Sequence, residues 1–218
     1  MSIGIVSLWH NHPELLPFFR HMMRVDGWDK LVLVDNASDE GLIEAYRSTL
    51  SRIEVDNGCF GIDIQLAVMS GNDVCYAWNW GAALLDTDII IVMANDLIML
   101  DARWVQIVTD GMQPGRFQGP FAMLSAGQYY LDGSMTVWMR EDWEKLGGLD
   151  EEYQHPGYWS DVDICYRAMK AGMEMRQTAQ PAPVHHLANW TARPLIGTPE
   201  FQNMVQYNQA RFIAKRGY

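Results

Sequence analysis

Asp96 is the residue whose type and position in this chain most directly suggest chemistry. With Asn95 it comes shortly after an unbroken apolar run, residues 89–93, in which β-branched side chains dominate. A run without polar alternation is typical of a strand buried on both faces of a parallel sheet. Ligands of open α/β folds bind beyond the carboxyl ends of such strands. A carboxylate there could bind a divalent cation that bridges to a ligand phosphate, or it could accept a helix-cap hydrogen bond.

Asp35 and Asn36 form a second polar pair in the same kind of position. They close the apolar run 31–34, and the carboxyl end of that predicted strand should lie at the same sheet edge as Asp96. Either residue could contact a ligand there. Both residues also begin turns well, because their side chains hydrogen-bond to their own backbone. Position alone leaves the two interpretations open.

Asp161 and Asp163 are the third candidate group, at the start of a predicted helix. A carboxylate on the first turn of a rigid helix, at the mouth of a cleft, suits a general base that removes a hydroxyl proton. A structural explanation competes with this one. Ser160 stands three residues before Asp163, as in a capping box, and acidic residues near a helix N-terminus interact favourably with the helix dipole. Such a cap does not require Asp161, so this residue is the candidate base.

His185 and His186 form the fourth group, after the Pro-Ala-Pro segment at 181–183. Paired histidines are often only polar surface. A neutral imidazole is also the commonest metal ligand in proteins. The pair is therefore a candidate to complete a metal site.

A repeated strand–helix pattern in the first half of the chain must position the first two groups. Repeated βα units predict a mostly parallel central sheet flanked by helices, which is an α/β fold with right-handed crossovers. The predicted strands cover residues 3–8, 31–34, 64–69 and 89–93, and the predicted helices cover residues 14–24, 41–50 and 77–85.

The pattern changes from residue 112, where Pro, Gly and Gln interrupt short segments. Residues 134–140 alternate like a half-buried strand. Helices are predicted over residues 142–146, 161–171 and 199–215; the first two end at glycines, and Pro199 opens the last. No linker, repeat or charge block interrupts the chain, so we expect a single domain over residues 1–218, with halves 1–111 and 112–218.

The composition argues against several classes of function. The net charge of −11 disfavours a nucleic-acid partner, because duplex binding needs clustered Lys and Arg. Cys59, Cys75 and Cys165 have no CxxC spacing, which argues against a disulfide framework or a zinc site and favours a reducing, cytoplasmic location. We expect no secretion signal, and no membrane span, since no stretch approaches the ~18 apolar residues that one requires.

Taken in order along the chain, the motifs resemble those of the GT-A glycosyltransferases of family 2, which include rhamnosyltransferase-like members. The order is more specific than any one motif, and the resemblance extends from Ile3 to about Thr191. The segments that carry it are Leu33-Val34-Asp35-Asn36-Ala37-Ser38, Ala77-Trp78-Asn79-Trp80-Gly81, Asn95-Asp96, Gly147-Gly148-Leu149-Asp150-Glu151, and Asp161-Val162-Asp163-Ile164-Cys165-Tyr166-Arg167 with Ala171-Gly172, followed by His185.

This resemblance implies the GT-A fold and a metal-assisted glycosyl transfer. A hexosyl or deoxyhexosyl group would move, with inversion, from a nucleotide-diphosphate sugar to an acceptor hydroxyl. Residues 1–111 would bind the nucleotide, and residues 112–218 would bind the acceptor and carry the catalytic base. The acceptor could be a glycan, a lipid-linked intermediate or a protein side chain.

Roles for individual residues follow from the same resemblance. Asp96 and His185 would hold Mn²⁺ or Mg²⁺ together with the diphosphate and water, and Asp161 would deprotonate the acceptor. Asp35 would contact the nucleoside, with main-chain groups after Ser7 on its other side. Asn79 would position the donor or pack its own helix. The donor-binding residues implied are Ser7, Asp35, Asn36, Asn79, Asn95 and Asp96.

Further substrate contacts are predicted beside the base and the histidines. Trp159 and Trp190 are candidates for stacking on a sugar face, although aromatic side chains more often serve packing. Asp163 and His186 are the other two candidates.

Two residues depart from the family pattern, and they raise an alternative function. Ala94 stands where the first polar residue of the metal-binding motif would be, and Ser160 replaces the usual Glu before the base. A non-catalytic nucleotide-sugar-binding or scaffolding module of the same fold is therefore the alternative. A Rossmann dehydrogenase is disfavoured, because no glycine-rich turn follows the first strand.

Overall fold

A seven-stranded sheet forms the centre of the protein. The computed structural model describes residues 1–56, 62–125, 128–178, 180–187, 193 and 195–217. The strands are β1 (Ile3–Trp9), β2 (Lys30–Asn36), β3 (Asp63–Met69), β4 (Ile89–Ala94), β5 (Leu97–Met99), β6 (Arg116–Gly119), β7 (Ala122–Ser125), β8 (Gln128–Leu131), β9 (Met135–Met139), β10 (Glu174–Gln177) and β11 (Val184–His186). The order in the main sheet is β10-β6-β9-β4-β1-β2-β3, while β5 pairs with β11 and β7 pairs with β8.

One strand of the main sheet runs against the others. Strands β3, β2, β1 and β4 are parallel neighbours, and β10 is parallel to β6. Strand β9 lies between β4 and β6 and is antiparallel to both. The beginning of β9 therefore lies at the same edge as the end of β4, where the Ala94 N–H donates to the Ser134 carbonyl at 2.8 Å.

Helices cover both faces of the sheet because alternate residues of each strand enter different cores. In β1, Ile5 belongs to the core that also contains residues of the helices 16–22 and 40–56. Val6 belongs to the core on the opposite face of the sheet. At Gly81 the helix approaches the sheet closely, since a Cβ atom there would lie 2.4 Å from Val6 Cγ2. The helices are α1 (Leu16–Met22), α2 (Glu40–Asp56), α3 (Val74–Leu84), α4 (Trp104–Thr109), α5 (Arg140–Leu146), α6 (Ser160–Lys170) and α7 (Pro199–Arg216).

The predicted α/β fold with a mostly parallel sheet is confirmed. The predicted helix over residues 41–50 is longer in the structure and reaches Asp56. The expectation that residues 134–140 form a half-buried strand is wrong, because β9 lies inside the sheet and all five of its residues are buried. Among the described residues, no helix has both the length and the apolarity that crossing a membrane requires.

The capping box weighed as a structural explanation for Ser160 and Asp163 is absent. Ser160 is the first residue of α6, and Trp159 occupies the cap position with a left-handed backbone, φ 78°. The Asp163 N–H donates to the Trp159 carbonyl at 2.9 Å. A structural cap therefore does not explain Ser160 and Asp163.

Candidate active site

A cleft of about 680 Å³ opens at the carboxyl edge of β1, β2 and β4. Its walls include the segment after β1, the end of β2, the loop before β9 and the start of α6. Three carboxylates, Asp96, Asp132 and Asp161, line it. No lining residue is Lys or Arg, and the residues outside the described ranges include neither type.

Asp96 and His186 meet at one end of the cleft. Asp96 is almost completely buried just after β4, and its Oδ1 lies 3.3 Å from His186 Nε2. The antiparallel pairing of β5 with β11 places His186 opposite Leu97, the residue after Asp96. Burial lowers the pKa of His186, but the hydrogen bond to Asp96 and the negative charges of Asp96 and Asp132 raise it by more, so the net direction is upward.

His185 does not share this position. Successive side chains of a strand point to opposite sides, and the His185 side chain is exposed and does not line the cleft. The sequence prediction paired His185 with Asp96, whereas the structure places His186 there. The difference is a matter of strand register, since His185 pairs with Ile98 in the small sheet.

Asp161 faces the same cleft from the first turn of α6. Its Oδ2 accepts a hydrogen bond from the Gly133 N–H at 3.2 Å, and its Oδ1 accepts one from the Val162 N–H at 2.9 Å. Burial and then the charge of Asp132 raise the pKa of Asp161 to about 6. This carboxylate is therefore deprotonated at neutral pH yet more basic than an ordinary Asp, as a general base requires.

Asp132 was missed by the sequence reasoning. Its Oδ1 accepts the Ser134 N–H at 2.8 Å and lies 3.9 Å from His186 Nδ1, and its side chain is 24% exposed. Asp132 therefore stands between the base and the histidine. In the sequence, Asp132-Gly133 before an apolar run indicates only a turn, and nothing there reveals that β9 is reversed.

The predicted nucleotide-binding pair lies at the end of β2, and both residues are buried. Asp35 Oδ1 accepts the Ser38 N–H at 3.2 Å, while Asp35 Oδ2 has no hydrogen-bond partner among the described residues. Asn36 lines the cleft and is hydrogen-bonded to the loop before α3. Its Nδ2 donates to Asn72 Oδ1 at 2.6 Å, and its Oδ1 accepts the Asp73 N–H at 2.9 Å. Asp35 itself is not a lining residue.

Ser7 is buried inside the sheet, where its Oγ accepts the Trp9 indole N–H at 3.0 Å. The residues that follow do line the cleft: Leu8, Trp9, His10, Asn11 and His12. The side chain of Ser7 is thus hydrogen-bonded to Trp9, and the segment after Ser7 faces the cleft.

Asn79 lies outside the cleft and binds a turn. Its side chain exchanges hydrogen bonds of 2.8 Å with the backbone N–H and carbonyl of Leu149 and donates to Glu151 at 2.9 Å. Gly148 is required beside it, since a Cβ atom there would lie 2.3 Å from Asn79 Oδ1. The packing role weighed for Asn79 therefore matches its contacts.

Of the other predicted substrate contacts, Trp159 packs on Phe212 with ring centroids 5.4 Å apart and does not line the cleft. Asp163 is fully buried away from the cleft. Trp190 lies outside the described residues. Asn95 does line the cleft, and its buried Nδ2 has no partner in the described part of the chain.

The donor set at the Asp96 end fits a hard divalent cation only in part. A carboxylate oxygen and an imidazole nitrogen are both suitable ligands for Mn²⁺. No group of three or more His, Cys, Asp or Glu side chains in the described ranges is arranged to hold a metal ion. A cation at Asp96 and His186 would therefore need ligands from a substrate and water.

No protein-family model matches the chain, and no curated protein sequence matches it. Solved structures do. The chain is similar to the mannosyltransferase PcManGT from Pyrobaculum calidifontis in complex with GDP-Man and Mn²⁺, at 14% identity and a TM-score of 0.64, over 97% of this chain and 69% of that one.

Two further glycosyltransferases share the architecture. GalNAc-T7 with UDP, GalNAc and Mn²⁺ has a TM-score of 0.65 at 14% identity, over 100% of this chain and 50% of that one. Drosophila β1,4-galactosyltransferase 7, a mutant in complex with manganese, UDP-Gal and xylobiose, has a TM-score of 0.54 at 14% identity, over 88% of this chain and 74% of that one. The chain has the GT-A fold of these glycosyltransferases.

Proposed function

We propose that this protein is a metal-assisted glycosyltransferase of the family 2 type, which transfers a hexosyl or deoxyhexosyl group from a nucleotide-diphosphate sugar to an acceptor hydroxyl with inversion. The observation that carries the proposal is the placement of Asp161 in the same cleft as Asp96 and His186, at the carboxyl edge of the sheet. The base and the candidate metal ligands come from distant parts of the chain, and the fold brings them together.

Asp161 acts as the general base in this proposal. The acceptor oxygen forms a bond to the anomeric carbon as the bond from that carbon to the donor diphosphate breaks, and the hydroxyl proton passes to Asp161. The raised pKa of Asp161, about 6, supports this role because the carboxylate accepts a proton more readily than an ordinary Asp.

Asp96 and His186 would hold Mn²⁺ or Mg²⁺ in the working enzyme. The bound cation would stabilise negative charge on the departing diphosphate. The charge of the cleft supports this assignment, because its lining offers the diphosphate no Lys or Arg.

Asp35 and Asn36 are proposed to hold the nucleoside, with the segment after Ser7 on its other side. Support comes from the buried Asp35 Oδ2, which has no hydrogen-bond partner among the described residues, and from Asn36, which lines the cleft. Leaving a buried acceptor unsatisfied costs about 1–3 kcal/mol, and a nucleoside N–H or hydroxyl that reached this oxygen would remove that cost.

The experiment that tests the proposal is a donor screen. The protein is incubated with UDP-, GDP- and dTDP-sugars and with Mn²⁺, Mg²⁺ or EDTA, and release of nucleoside diphosphate and thermal stability are measured. We expect one donor to be hydrolysed slowly with metal, and a ligand at 100 times its Kd to add about 2.7 kcal/mol to stability. Absence of donor binding under every condition would contradict the proposal.

The two adjacent histidines provide a matched pair for the metal assignment. We expect His186→Ala to weaken Mn²⁺ binding, measured by titration in the presence of the nucleoside diphosphate, roughly tenfold or more. His185→Ala removes the same side chain from an exposed position and should leave Mn²⁺ affinity unchanged. A larger effect of the His185 variant would overturn the assignment.

A non-catalytic nucleotide-sugar-binding module remains the second candidate. It is favoured by Ala94, which stands two residues before Asp96 where the family has a polar residue, and by the absence of a three-residue metal cluster in the described ranges. Donor binding without release of nucleoside diphosphate, with any acceptor offered, would support the module over the enzyme.

A further inference from the structure

The acceptor side of the cleft carries negative charge, and no Lys or Arg side chain lines the cleft to balance it. The basic side chains in the described lining are imidazoles, those of His10, His12, His155 and His186. Asp132 and Asp161 lie close to each other. The N–H of Gly133, the residue after Asp132, donates a hydrogen bond to the Asp161 carboxylate. All Lys and Arg residues of the chain lie in the described ranges, and none of them lines the cleft. No part of the cleft lining therefore supplies a Lys or Arg charge to offset the carboxylates.

Substrates do not remove this imbalance. If a divalent cation binds as proposed, its two charges offset the two charges of the donor diphosphate. With Asp96 bound to that cation, the carboxylates of Asp132 and Asp161 still face the remaining space. Like charges a few ångströms apart repel strongly at the effective dielectric of a protein cleft, and the net charge of −11 adds a repulsive field at longer range.

Asp132 faces His186, whose Nδ1 lies 3.9 Å from Asp132 Oδ1, but the hydrogen bond that Asp132 makes in its own turn does not require a negative charge. Its Oδ1 accepts the N–H of Ser134 across a tight turn, a hydrogen bond that an amide oxygen would make equally well. Its side chain is partly exposed to the cleft. Near this turn, in the residue after Ala94, whose N–H donates to the Ser134 carbonyl, the buried amide Nδ2 of Asn95 has no partner among the described residues and is available to a polar, uncharged group.

We propose that the acceptor is an uncharged sugar and that Asp132 is a specificity-determining residue, which accepts a hydrogen bond from an acceptor hydroxyl and repels acceptors with an anionic group near the reacting position. This inference rests on the proposed glycosyl transfer and narrows its acceptor. Uronic acids, sugar phosphates and sugars linked directly to a lipid diphosphate are excluded, and neutral glycans are selected.

The test compares three acceptors that differ in one group. A neutral p-nitrophenyl hexoside, the corresponding p-nitrophenyl uronide, and the methyl ester of that uronide are offered with the donor and Mn²⁺, and kcat/KM for transfer is measured. Binding of the same three compounds to the protein with Mn²⁺ and nucleoside diphosphate is measured by calorimetry. We expect the uronide to be disfavoured by at least about tenfold, which corresponds to about 1.4 kcal/mol, and the ester to recover most of the loss.

Two Asp→Asn variants assign the effect to a residue. Asp132→Asn keeps the hydrogen bond to Ser134 and removes the charge, so it should reduce the discrimination between hexoside and uronide at least threefold. Asp86→Asn removes one charge from an exposed position that does not line the cleft and should leave the discrimination unchanged. Equal or better use of the uronide by the parent protein, in transfer or in binding, would overturn the inference.

Failure of the proposed function gives a different result. A protein that binds no nucleotide sugar with any metal contradicts the glycosyltransferase proposal and this inference together. A protein that hydrolyses its donor but binds the uronide as well as the hexoside contradicts this inference alone.

Discussion

Asp161 and Asp163 are separated by one residue on α6 and lie in opposite environments. Asp161 faces the cleft, and its hydrogen bonds in the described part of the chain come from the backbone N–H groups of Gly133 and Val162. Asp163 is completely buried, and its two oxygens contact the guanidinium groups of Arg167 at 2.7 Å and Arg216 at 2.5 Å.

The contrast shows what decides the role of a carboxylate on a helix. Burial next to another carboxylate disfavours the ionised form of an Asp. Asp161 has that environment, and its pKa is raised to about 6. Asp163 instead contacts two guanidinium groups, one of which joins α6 to α7. Residue type and position on the helix are almost the same, so the difference lies in which neighbours the fold supplies.

The sharpest way to break this comparison is to neutralise the first carboxylate. We expect Asp161→Asn to lower the transfer rate by about 10²–10⁴, because the amide cannot accept the acceptor proton. Donor affinity should stay nearly the same. Initial rates and donor titrations check this, and turnover equal to that of the parent protein would rule out Asp161 as the base.

Neutralising the second carboxylate should affect the fold instead. Asp163→Asn leaves Arg167 and Arg216 without their carboxylate, and breaking a buried ion pair typically costs about 3–5 kcal/mol. Both guanidinium groups reach the surface in part, so we expect a loss of roughly 2–4 kcal/mol in the free energy of unfolding, measured with urea. Transfer per folded molecule should be kept. If Asp163→Asn lost turnover while its stability was unchanged, Asp163 and not Asp161 would be the candidate base.

The pH dependence of the transfer rate gives a further, smaller difference between Asp161 and Asp163. The transfer rate should fall about tenfold per unit as the pH drops below about 6, where Asp161 becomes protonated. The folded-state pKa lies above the ordinary value of 3.8, so the folded protein binds more protons between these values. The contribution of Asp161 to stability therefore decreases as the pH rises from about 4 to about 6, and it stays unfavourable above that.

The raised pKa of Asp161 can also be tested by measuring stability. Relative to the parent protein, Asp161→Asn should gain about 1–3 kcal/mol in the free energy of unfolding at pH 8, and this gain should disappear towards pH 4. Urea unfolding of both proteins at several pH values checks this. A variant that is less stable than the parent at pH 8 would show that the environment of Asp161 favours its charged form.

Much of this arrangement could be predicted from the sequence, because strand ends and helix starts are visible as changes in pattern. Asp96 follows a fully apolar strand and Asp161 opens an amphipathic helix, and both were placed in the cleft region on those grounds. The order of the motifs predicted the GT-A fold, which the structural relatives confirm.

What could not be predicted depends on long-range geometry. Which of His185 and His186 lies beside Asp96 is set by how β11 pairs with β5, and a shift of one residue exchanges the two. Asp132 joins the cleft only because β9 is antiparallel to β4. The roles of Asn79 and Asp163 depend on partners about 70 and 53 residues away, at Leu149 and Arg216.

The reversed strand β9 also limits how the loop at Asp132 could change during evolution. It is paired on both sides, so an insertion or deletion of one residue would turn every side chain to the opposite core and move the loop at Asp132 by about 3.3 Å. Both of those cores are filled, as Val137 and Trp138 enter different ones. Under the proposed function, changes of acceptor are therefore expected to arise by substitution at residues 132–134, whose backbone the sheet holds in place, and not by changes in the length of the segment.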